Sequence, residues 1–88
     1  MYWDVTDVHP VASRELAVSF ADGLSGVVRI EPSFCTGVFE ALRDDEMIER
    51  AQVDNGVIVW QNGLDLAPDT MYREIKHSPD RRYVIHRD

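Results

Sequence analysis

The 88-residue chain contains a single cysteine, Cys35. One thiol closes no internal disulfide and by itself builds no structural zinc site. No run of about 18 apolar residues is present, so no stretch has the length needed to span a membrane as a helix. The opening Met1-Tyr2-Trp3-Asp4 lacks the basic start and apolar core of a secretion signal. These absences lead to the expectation of a cytoplasmic protein. No glycine-rich phosphate loop occurs, because Gly23, Gly26, Gly37, Gly56 and Gly63 all stand in or beside expected turns. His77 and His86 are nine apart and His9 is distant, so no metal-ligand spacing is visible and no metal or cofactor is expected.

What is present is an apolar fraction of 44 % and a net charge of −7. The apolar content is enough for one packed core and too high for a disordered chain. The charge is uneven. Residues 1–72 hold four bases against thirteen acids, a balance of −9, and residues 73–88 hold five bases against three acids. A strongly acidic body repels phosphate and disfavours direct binding of duplex nucleic acid. The expected division is a single domain over 1–76 and a basic tail over 77–88. Chain ends commonly fray, so the tail is read first as solvated, with an interaction arm as its functional alternative.

Alternating apolar residues in Leu16-Ala17-Val18-Ser19-Phe20 predict a strand with one buried face. Asp22-Gly23 then marks a tight turn, and Val28 and Ile30 share a face of the next strand, giving a hairpin over 15–31. An earlier strand is expected over 3–11, with Pro10 near its end. Val38, Phe39 and Leu42, then Met47 and Ile48, predict short helical turns near 38–42 and 45–50, the second preceded by the capping acids Asp44 and Asp45. Asn55-Gly56 between β-formers predicts a second hairpin over 51–60. Pro68, Asp69 and Thr70 open a helix over about 68–76, with Met71 and Ile75 turned to the core. Tyr83-Val84-Ile85 is a candidate edge strand. The expected class is α+β: a small antiparallel sheet with short helices packed on one face.

Chemistry-bearing residues gather in one stretch, from Trp60 to Asp69. Trp60, Asn62, Asp65, Asp69 and the nearby Tyr72 form the candidate interaction or ligand surface. The simpler account makes Trp60 a cover for the core edge, Asn62-Gly63 a turn, and Asp65 and Asp69 acceptors for backbone amides. No catalytic residues are expected. Asp65 or His9 as an acid or base has no partner in sequence. Cys35 has no basic neighbour to activate it and reads as a half-buried structural residue.

Three motifs run through the chain: L-x-V-x-F-x-D-G from Leu16 to Gly23, G-V-F-x-x-L-x-D from Gly37 to Asp44, and a third that begins at Ile58. The third continues through Trp60, Asn62, Gly63, Asp65, Leu66, Pro68, Asp69, Met71 and Tyr72. In this pattern the chain resembles a family of small bacterial proteins of unknown function in the DUF series. Ile58 replaces the family's valine, Gln61 stands where many members have proline, and Met71 replaces leucine. The resemblance implies a compact α+β fold and no known activity. Some relatives look fused to helix-turn-helix segments, and others look like halves of toxin–antitoxin gene pairs. The function expected is therefore a non-catalytic protein-interaction or regulatory module, an antitoxin-like partner of a small basic protein or a self-associating one. The alternative is a small-molecule-sensing domain with a pocket near Trp60, Asp65 and Tyr72.

Overall fold

A computed structural model describes residues 1–87. Its first sheet grows from the alternation in the first half of the chain. Strand β1 (Val5–Ala12) pairs antiparallel with β2 (Glu15–Phe20), and β2 with β3 (Ser25–Ile30). Leu16, Val18 and Phe20 of β2 and Val28 and Ile30 of β3 face inward and are buried. Burying each such side chain contributes roughly 1.5–3 kcal/mol, so this face is a substantial part of the driving force for folding. Ser13 and Arg14 form the two-residue turn between β1 and β2, and Arg14 takes a φ of 63°.

Pro32 ends the third strand, as its missing amide requires. A 3₁₀ helix at Gly37–Arg43 and helix α1 (Asp45–Ile48) follow, with Asp44 as N-cap accepting from the Glu46 amide at 3.0 Å. The Asn55-Gly56 hairpin forms as expected, with φ of 50° and 80° at its two turn residues. It joins β4 (Gln52–Asp54) to β5 (Val57–Val59). Helix α2 (Pro68–His77) begins at Pro68 and buries Met71, Tyr72 and Ile75.

The α+β class holds, with two corrections to the sheet. The strands form two sheets, because β5 also pairs with β6 (Asp65–Leu66), giving the order β4-β5-β6. The first sheet has the order β1-β2-β3-β7, and its last strand, β7 (Arg82–Ile85), runs parallel to β3. A parallel neighbour needs a long crossover, and the helices and second sheet between residues 31 and 81 supply it. The candidate edge strand at 83–85 forms as part of β7, and the basic segment expected to be solvated is held at several points. Ile85 is buried, Arg82 pairs with Glu15 at 2.6 Å, and Arg87 donates to Thr36 Oγ1 at 2.7 Å. The two sheets share one core, and the Val5 amide donates to the Gly56 carbonyl at 2.9 Å where they meet.

Candidate functional site

The five candidate residues do not form one surface. Trp60 is 3 % exposed and its Nε1 donates to the Ile48 carbonyl at 3.4 Å. It follows β5, the central strand of its sheet, so its ring turns into the core. Asn62 Oδ1 accepts from the Leu64 amide at 3.2 Å and sets the turn. Asp69 stands in the first turn of α2 behind the N-cap Ala67, and its Oδ1 accepts from the Thr70 amide at 2.9 Å. Asp65 is exposed and has no such amide, so the turn role expected of it belongs to Asn62 alone. Tyr72 is 6 % exposed, packs edge-on to Phe20 with centroids 5.3 Å apart, and donates its hydroxyl to the Asp22 carboxylate.

Asp65 and Tyr72 instead belong to two recesses, one on each side of α2, and Trp60 lines neither. The pocket expected near all three is corrected accordingly. The first recess is an apolar groove of about 370 Å³. Phe34 and Phe39, with centroids 4.7 Å apart, form part of its lining with Asp65 and Leu66 of β6 and Tyr83 and Ile85 of β7. Among the described residues each of β6 and β7 has a strand neighbour on one side only. The groove thus lies between two open sheet edges.

The second recess holds about 390 Å³ and is mixed in character. Tyr2, Trp3 and Tyr72 supply rings, and Asp69, Arg73, Lys76 and His77 supply polar groups from α2. Tyr2 stands edge-on to Trp3 at 4.8 Å and to Tyr72 at 5.1 Å. Lys76 Nζ lies 5.6 Å from the Tyr72 ring centroid, a cation–π distance. The hydrogen bond from Tyr72, helped by the Leu24 amide and the Lys76 charge, holds the Asp22 carboxyl below its ordinary value. The same bond, with burial, pushes the Tyr72 phenol up to about 12.

Sequence reasoning missed Arg14. The residue is buried, and every arm of its guanidinium donates: Nε to the Ile30 carbonyl at 2.8 Å, Nη1 to the Arg43 carbonyl at 3.1 Å and to Asp45 at 2.7 Å. Nη2 donates to the Leu42 carbonyl at 2.8 Å and to Cys35 Sγ at 3.4 Å. A planar fork satisfying carbonyls at the end of the 3₁₀ helix is a task arginine suits and lysine does not. Its only sequence signal is an arginine in a two-residue turn. Cys35 is fully buried rather than half-buried, and it does have cationic neighbours, Arg14 and Arg43, brought by the fold. Burial nonetheless dominates and pushes the thiol up. Among the described residues no three His, Cys, Asp or Glu side chains are placed to hold a metal ion.

Two small sheets on one core, with recesses flanking α2, define a small α+β domain. The chain belongs to the family described as protein of unknown function (DUF2442), which matches residues 5–77. The match runs from β1 through α2 and stops short of β7. No curated protein and no solved structure matches the chain. Among the described residues no helix is long and apolar enough to cross a membrane.

Proposed function

We propose that this domain is a non-catalytic module that binds an extended segment of a small basic protein, as the antitoxin-like half of a pair would. The observation that carries this is the apolar groove between the open edges of β6 and β7. A strand edge offers unpaired backbone groups to an incoming chain, and the adjoining groove takes its side chains. The −9 balance over residues 1–72, with Asp65 in the groove lining, favours a cationic partner and speeds its capture. The test is affinity capture from the source cells with the wild-type chain, an Asp65→Lys variant and an Asp7→Lys control on the opposite edge of the first sheet. A stoichiometric, salt-sensitive complex weakened only by Asp65→Lys is expected. A complex indifferent to Asp65→Lys and to salt overturns the proposal.

One observation favours a second reading, a small-molecule-sensing domain: the recess beside Tyr72 combines aromatic walls with a few polar groups. A thermal-shift screen in which no metabolite raises the melting temperature counts against it.

A further inference from the structure

Of the five basic residues after position 72, three are used inside the fold. Arg81 donates to the Lys76 carbonyl at 2.6 Å, Arg82 pairs with Glu15, and Arg87 holds Thr36. Of the other two, Lys76 stands over the Tyr72 ring, and with Arg73 and His77 it lines the recess beside Tyr72. Among the described residues neither the Arg73 nor the His77 side chain makes a hydrogen bond or an ion pair. That is unexpected in a chain of net charge −7, where carboxylates are plentiful. Asp69 shares the recess, yet its Oδ1 accepts from the Thr70 amide. A cation in the last turn of a helix is favoured by its dipole, which accounts for Lys76. It does not account for Arg73, nor for the aromatic wall opposite.

That wall is the second independent feature. Tyr2 is 56 % exposed, yet it is held between Trp3 and Tyr72 by two edge-on contacts. A fixed, exposed ring has little conformational freedom left to lose when a flat ligand packs on it. Asp69, Tyr72, Arg73 and Lys76 follow the spacing that places them along one stripe of α2. The stripe sets ring-binding and anion-binding groups side by side, and the volume of about 390 Å³ is that of a small-ligand site.

We propose that this recess binds a planar aromatic ring carrying a phosphate or carboxylate group, an assignment that rests on the small-molecule reading above. The ring packs against Tyr2 and Trp3. The anion is taken by Arg73, whose planar fork matches either oxyanion, with Lys76 as a second charge.

The experiment is a titration of the full chain followed by amide and indole NMR shifts. The probes are adenosine 5′-monophosphate, 4-hydroxybenzoate, their uncharged counterparts adenosine and phenol, and inorganic phosphate. Saturable shifts of the Trp3 indole and of residues 69–77 are expected with at least one anionic probe, at a Kd of about 1 mM or tighter. Tighter binding of adenosine 5′-monophosphate than of adenosine assigns a phosphate, and of 4-hydroxybenzoate than of phenol a carboxylate. The matching uncharged ring and inorganic phosphate should bind at least about tenfold more weakly. Arg73→Glu combined with Lys76→Glu should weaken the anionic probe by about tenfold or more, and Tyr2→Ala, at an exposed position, should weaken it independently. If uncharged rings bind as well as anionic ones, or the charge reversals change nothing, the anion assignment is overturned while the small-molecule reading stands. If no probe saturates by about 10 mM, both fall.

Discussion

Arg14 and Asp45 meet at 2.7 Å across the junction of the first hairpin and α1, the arginine side chain 7 % exposed and the carboxylate 57 % exposed. One end of the bridge is in the core and the other in water, and the two ends carry different weight. The buried end satisfies the carbonyls of Ile30, Leu42 and Arg43. Arg14→Met removes those donors and leaves buried acceptors unpaired, a loss of about 3 kcal/mol. In a domain of this size that lowers Tm by about 10–20 °C in a thermal melt. Arg14→Lys should recover little of it, since an ammonium lacks the planar fork. Arg14→Gly relieves the left-handed turn and still melts low, which separates the guanidinium's role from backbone strain. Asp45→Asn should leave Tm almost unchanged, because its carboxylate is screened by water.

The Tyr72–Asp22 hydrogen bond sets two limbs of pH dependence. The phenol is raised from its ordinary 10.0 to about 12, so its contribution to stability is full below pH 10 and is lost as pH rises from 10 toward 12. Asp22 is lowered from 3.8, so its contribution is present above pH 3.8 and is lost as pH falls through the lowered value. Tyr72→Phe should reduce both limbs in a series of melts against pH, the acid one only in part because the Leu24 amide and Lys76 also lower Asp22. It should also remove a late-titrating phenolate from the absorbance titration of the folded chain.

Gly26 marks the closest approach of the loop after α2 to β3. A Cβ there would overlap the Arg81 carbonyl and the Ile75 Cγ2 methyl. The Arg81 carbonyl also accepts from the Val27 amide at 2.9 Å, so relieving the overlap loosens the β3–β7 pairing. Gly26→Ala should cost about 1–3 kcal/mol by urea unfolding. Faster hydrogen exchange concentrated at residues 82–85 would locate the loss.

Cys35 is buried, and burial raises its thiol against the pull of Arg14 and Arg43. Dithionitrobenzoate should therefore react with the native chain at least roughly a hundredfold more slowly than with the urea-unfolded chain, at a rate set by local opening. Arg14→Met, by loosening the surrounding shell, should speed the native reaction. Equal rates in the folded and unfolded chains would show that the thiol is accessible.

Much of the fold was legible wherever a local rule was sufficient. The alternation of Leu16, Val18 and Phe20, the Asn55-Gly56 turn, the Asp44 cap and the Pro68 helix start each depend on neighbours a few residues away. The candidate site was legible only in part. Trp60, Asp65 and Tyr72 are close in sequence, but an inward-turned ring after a central strand and the two sides of α2 separate them. Tyr2 and Trp3 gave no sequence signal because their significance comes from α2, some seventy residues away.

The sequence by itself determined the class: alternation and turn chemistry force strands, capping and periodicity force short helices, and the acids concentrate in residues 1–72. Tertiary structure decided everything that depends on distant pairing. It made the candidate edge strand at 83–85 a parallel partner of β3, and turned Arg14 from a turn residue into a buried five-bond hub. It also left the Arg73 and His77 side chains without a partner among the described residues, beside an aromatic wall. The physical reason is that strand pairing and burial of a charge are settled by which backbone groups remain unsatisfied once the chain has closed on itself.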